Sequence, residues 1–146
     1  MAPPSKSAPT IKWIIDLHGI KEALASRSNA RTRIIDAIQR GEMVVMRSVQ
    51  DDLKIFDYLW TDFCAIKPKK YVDTPVSVTA MAATMQEANG SSLLGGVPSF
   101  AHFEALALAR NKKCKLVTAG KGFADCQSIA KKCKLPATDV VSIGDV

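Results

Sequence analysis

Asp16, the pair Asp51 and Asp52, His102, Glu104 and the turn Gly120-Lys121-Gly122 are the residues whose types and spacing reach toward chemistry. Asp16 closes an apolar run, Ile11-Lys12-Trp13-Ile14-Ile15. A carboxylate in that place is costly unless it is paired, hydrogen-bonded or bound to a metal. Two roles stay open for it: a metal ligand at the end of a strand, or the N-cap of the helix after His18-Gly19. Asp51 and Asp52 point about 100° apart on a helix, so at most one faces a given site. Both also suit the positive start of their helix, which alone would explain them. His102 and Glu104 are about 200° apart on a helix and face opposite ways. The Gly-Lys-Gly turn opens a helix, where backbone N–H groups can hold an anion; equally, the glycines serve a tight turn.

The elements that must position these residues alternate between strand and helix. Ile11–Leu17 reads as a strand buried on both faces, followed by a short helix over 20–26. A second helix is expected from a cap at Ser28 or Asn29 through Arg40, stopped by Gly41. Met43-Val44-Val45-Met46 is the next buried strand. Ser48 is expected to cap one continuous helix running to Trp60, with Asp51 completing a capping box. A further helix is expected over Val78–Glu87, rich in alanine and methionine and therefore core. Asn89–Pro98 reads as a loop, and Ser99 as the cap of the helix Phe100–Arg110. That helix is apolar almost all round and should be central. Leu116-Val117-Thr118-Ala119 is the strand that meets the glycine turn, followed by a helix to about Cys133. Val140–Ile143 is the last strand. Lys-Lys-Cys-Lys-Leu occurs at 112–116 and again at 131–135, each time ending a helix, where cations complement the dipole. Helices between strands imply a three-layer α/β/α sandwich around a mostly parallel sheet of four to five strands. Ligands of such sheets bind outside the carboxyl ends of the strands.

With 146 residues the chain has the size of one domain, expected to occupy 11–146 behind a solvated arm, 1–10. Its hydrophobic content of 47% excludes a disordered chain. The longest apolar runs fall short of the roughly 20 residues a membrane span needs, so no membrane association is expected. The first ten residues lack the apolar core of a signal peptide, and a cytoplasmic location follows as the default. Cys64, Cys114, Cys126 and Cys133 show no zinc-type spacing, and read as reduced, mostly buried thiols. The net charge of +6 favours a polyanionic partner, nucleic acid before others. Lys67-Pro68-Lys69-Lys70-Tyr71 is the densest basic run of the middle of the chain; it suits either a phosphate backbone and a stacked base or a solvated loop.

The arrangement resembles a PIN domain, the nuclease fold of many toxin–antitoxin ribonucleases. Ile14-Ile15-Asp16 looks like its opening strand with an acidic end. Val49-Gln50-Asp51-Asp52-Leu53 looks like its second acidic site, with Asp52 the better match. Ala105–Ala109 and Leu116-Val117-Thr118-Ala119 look like its alanine-rich helix and final catalytic strand. The resemblance implies a metal-dependent ribonuclease in which Asp16 and Asp52 hold Mg²⁺ or Mn²⁺, with Asp16, Asp52 and His102 catalytic. RNA contacts at Lys121, Lys67, Lys69 and Lys70 go with it, as do an antitoxin partner and a homodimer. The family carries acids where this chain has Gly120 and Gly122, and an acid where it has His102. Two carboxylates and an imidazole suit Mn²⁺ or Zn²⁺ better than Mg²⁺. A degenerate PIN-like domain that binds nucleic acid or a protein without cutting is therefore the alternative. A nucleotide-binding α/β protein ranks last, because no phosphate-loop or dinucleotide fingerprint is present.

Overall fold

The structure, a computed structural model, describes residues 11–89 and 100–146. Five strands form one parallel sheet in the order β3-β2-β1-β4-β5, inside a three-layer α/β/α arrangement. The strands are β1 (Trp13–Ile15), β2 (Met43–Met46), β3 (Tyr71–Val72), β4 (Lys115–Thr118) and β5 (Val140–Ser142). The helices are α1 (Leu17–Ala25), α2 (Asn29–Gln39), α3 (Arg47–Leu53), α4 (Asp57–Ala65), α5 (Val76–Asn89), α6 (Phe100–Asn111) and α7 (Gly120–Lys132).

β1, β2 and β4 carry the continuous apolar runs of strands covered on both faces, and Ile14, Ile15, Met43, Val45, Leu116 and Val117 are fully buried. Each large side chain of this set contributes roughly 1.5–3 kcal/mol by leaving water. The chain moves from β1 outward through β2 to β3, then returns to place β4 on the other side of β1. The sheet's switch point therefore lies between the carboxyl ends of β1 and β4, where such folds form a crevice. Asp16 N–H donates to the Val117 carbonyl at 3.2 Å across this point. Gly19 lets α1 start there: a Cβ on it would lie 2.9 Å from the Val117 carbonyl oxygen and 2.8 Å from Ile15 Cγ1.

α6 is central, as its all-round apolar sequence predicts: Phe103 and Ala105 through Ala109 are buried. α5 is less so. It buries Val78, Ala82 and Met85 and exposes Ala80, Ala83 and Ala88, so only one of its four alanines is core. The expected second helix is α2, with the Ser28 hydroxyl accepting from Ala30 N–H at 3.3 Å and Gly41 at φ +78°. The two lysine-rich repeats end α6 and α7 through a left-handed residue, Lys113 at φ +56° and Lys134 at φ +59°. Cys114 N–H reaches back to Ala109 O at 3.0 Å and Leu135 N–H to Ala130 O at 2.7 Å, so both ends close in the same way.

Three local expectations are corrected. The first helix begins at Leu17 instead of residue 20, because Asp16 caps it immediately. Ser48 is not a cap: β2 passes directly into α3 at Arg47, and Met46, without a capping side chain, precedes it. The single helix expected from Ser48 to Trp60 is two, parted at 54–56, where Phe56 leaves the helical region with ψ 81° and lies half-buried under Lys21. β3 adds a strand that two residues could not announce; it pairs Val45 with Tyr71 and Met46 with Val72. Of the expected loop Asn89–Pro98, Asn89 instead ends α5, and the rest, with the Ser99 cap and the arm at 1–10, lies outside the described residues.

Candidate functional site

The carboxyl ends of β1 and β2 and the first turn of α6 frame a small pocket of about 200 Å³, lined by Asp16, His18, Ser48, Asp52 and His102 among others. The three expected catalytic residues, Asp16, Asp52 and His102, are thus brought together. The two choices left open by helical geometry are also decided. Both are exposed, but Asp52 lines the pocket, whereas Asp51 pairs with Lys54 at 3.5 Å. His102 lines the pocket, whereas Glu104 is turned away to accept from the Thr79 hydroxyl at 3.3 Å.

Asp16 serves its own helix. Its Oδ1 accepts from Gly19 N–H at 2.8 Å, the N-cap geometry of α1. Burial pushes its carboxyl above the usual range, against the opposing pull of the Gly19 N–H, Thr118 and the two histidines. The Thr118 hydroxyl is close enough to favour the charged carboxylate, yet it meets hydrogen-bond geometry with no partner.

His102 is committed at both ring nitrogens. Cys126 Sγ lies 3.8 Å from Nδ1, and Asp125 Oδ2 lies 3.5 Å from Nε2. Burial, with Asp16 and Asp125 nearby, drives the Cys126 thiol far up, so it is protonated and donates to Nδ1. The remaining proton then sits on Nε2 and faces Asp125. Burial first, then His18, lowers the His102 pKa, which keeps the ring neutral at pH 7. Asp125 carries no local signal of this role, because it precedes Cys126 on a helix whose facing only packing decides.

His18, which nothing in the sequence marks beyond its place after Asp16, is part of the site. Its ring stacks on His102 with centroids 5.2 Å apart and planes at 28°. The other side of the ring rests on Gly122: a Cβ there would lie 2.8 Å from His18 Cδ2 and 2.6 Å from Thr118 Oγ1. The absence of a side chain at 122 is what admits His18. Gly120 differs, since it has open space around it but a φ of +56°, the left-handed region that favours glycine. The turn is tight: Ala119 alone joins β4 to α7, with no capping side chain.

The residues present do not fit a hard divalent ion. Asp16 is spent on a helix cap, His102 has no free nitrogen, and among the described residues no three His, Cys, Asp or Glu side chains could together hold a metal.

Lys121 is near enough to His102 to press its pKa down, and the other expected cations lie elsewhere. Lys121 is exposed at the start of α7. Lys69 is tied to its own loop, its ammonium donating to Ile66 O at 3.0 Å and lying 4.9 Å from the Phe63 ring centroid. Lys67 and Lys70 are exposed ahead of β3, the outermost strand on its side, where Lys70 O accepts from Val45 N–H at 2.9 Å. A larger cleft of about 830 Å³ opens at the amino ends of β1 and β4. No helix among the described residues is long and apolar enough to cross a membrane.

No family model matches the chain, and no curated protein matches it.

Proposed function

We propose that this chain is a PIN-like domain that binds single-stranded RNA and leaves it uncut. The observation that carries the reading is the seat beside Gly122, where the resemblance calls for an acid and the His18 ring lies instead. With that acid gone, the crevice loses the like-charge repulsion that a carboxylate cluster needs a metal to relieve. The net charge of +6 then supplies attraction to phosphate without chemistry. The His18 ring is half-buried in the lining of this pocket.

One observation favours a second reading, a metal-dependent ribonuclease acting as the toxin of a toxin–antitoxin pair: Asp16, Asp52 and His102 line one pocket. A single experiment separates the two. A labelled oligouridylate is titrated with the protein in EDTA, then in Mg²⁺ and in Mn²⁺, and the RNA is recovered on a gel. The expected result is salt-sensitive binding that needs no metal, with the RNA intact. Cleavage that requires Mn²⁺ and disappears in Asp52→Ala would overturn it.

A further inference from the structure

We infer that the cleft at the amino edge of the sheet, opposite the expected crevice, is a nucleotide-binding site that grips phosphate and base. Its lining includes Lys12, Trp13, Arg110, Lys113, Lys115 and Asp139, four cations against one carboxylate. The parallel sheet builds it. Trp13 and Lys115 are register partners on β1 and β4, and Lys115 N–H donates to Lys12 O at 3.1 Å. In-register neighbours of a parallel pair share a face, so an indole and an ammonium stand side by side. The left-handed turn at Lys113 brings a second ammonium to the same cleft at the end of α6.

The charges divide by role. Lys12 pairs with Glu42 at 3.0 Å, and Arg110 lies 4.0 Å from Asp139. Lys113 and Lys115 are exposed and have no ion pair among the described residues. Two unneutralised ammonium groups beside a half-buried indole match a phosphate linked to a base. The volume of about 830 Å³ falls in the range of pockets that take such ligands. Cys114, also in the lining, adds no chemistry, because burial pushes its thiol up to about 11. The site is one of binding.

The physiological source of the nucleotide rests on the RNA-binding reading; the site itself rests on the cleft. Oligouridylate and uridine monophosphate distinguish the two sources. Their affinities are measured by anisotropy and calorimetry over a salt series, for wild type and for Lys113→Gln with Lys115→Gln. Trp13→Phe, which keeps an aromatic ring, tests the base. The double glutamine variant is expected to weaken the oligonucleotide about tenfold and to reduce the salt slope by about 1.4, roughly 0.7 for each lost phosphate contact on a single strand. Oligonucleotide binding that is unchanged in the double variant would overturn the inference and leave RNA binding standing. Uridine monophosphate bound alone, and lost in the double variant, would support the cleft with free nucleotide as the source and remove the RNA reading. No binding of either ligand would remove both.

Discussion

His18 and His102, the chain's two histidines, stack at 5.2 Å although 84 positions separate them, 102 minus 18. One opens α1 behind β1 and the other sits in the first turn of α6. Their contact sets two imidazoles at the carboxyl end of the sheet, one of them buried and neutral. Gly122 makes the contact possible, so the stability of the crevice is expected to depend on that glycine.

Gly122→Ala is expected to destabilise the protein by about 1–3 kcal/mol, the usual cost of overpacking. The new methyl would meet the Thr118 hydroxyl and the His18 ring at distances that force both to move. Gly120→Ala should cost about 1 kcal/mol through backbone strain alone. Urea titration of both variants tests the order. A Gly122→Ala protein as stable as wild type would show that His18 does not pack there.

Asp16→Asn is expected to be more stable than wild type at neutral pH, because the amide keeps the α1 cap without burying a charge. The pH dependence gives the sign. A carboxyl raised above 3.8 by folding makes the native state hold more protons than the unfolded one, so wild-type stability falls as pH rises above 3.8 through the folded pKa. The advantage of the asparagine variant should grow over that window and then level off. Denaturant midpoints from pH 3.5 to 8 measure it, and a flat difference would contradict the buried, raised carboxyl.

His102 has the opposite sign. Its folded pKa lies below 6.5, so the unfolded state holds more protons just below that pH. The stability it contributes is present above 6.5 and is lost as pH falls. His102→Gln should flatten that acid limb while costing about 1–3 kcal/mol at neutral pH for the broken contacts to Cys126 and Asp125. A limb of unchanged steepness in the variant would assign it to another group.

Thiol labelling separates the cysteines. Cys114 and Cys126 are buried and their thiols are raised by burial, so both should react only after unfolding. Cys64 and Cys133 are half-buried. Mass spectrometry after a timed pulse of iodoacetamide reads the difference; rapid native labelling of Cys126 would break the proposed hydrogen bond to His102.

The sequence alone determined the layered α/β fold, because unbroken apolar strands between amphipathic helices have few other ways to bury both faces. It also determined that Asp16 ends a strand and that only one of Asp51 and Asp52, and one of His102 and Glu104, serves a site, since these follow from local periodicity. It missed the break at Phe56 and the two-residue β3, which are too short to carry a period. Which acid faces the pocket, what the two glycines admit and where the free lysines gather were decided by tertiary structure. Those outcomes depend on which residues from distant elements share a sheet edge. The return of β4 to the side of β1 sets that: it brings His18 onto Gly122 at one end of the sheet, and Trp13 beside Lys115 at the other.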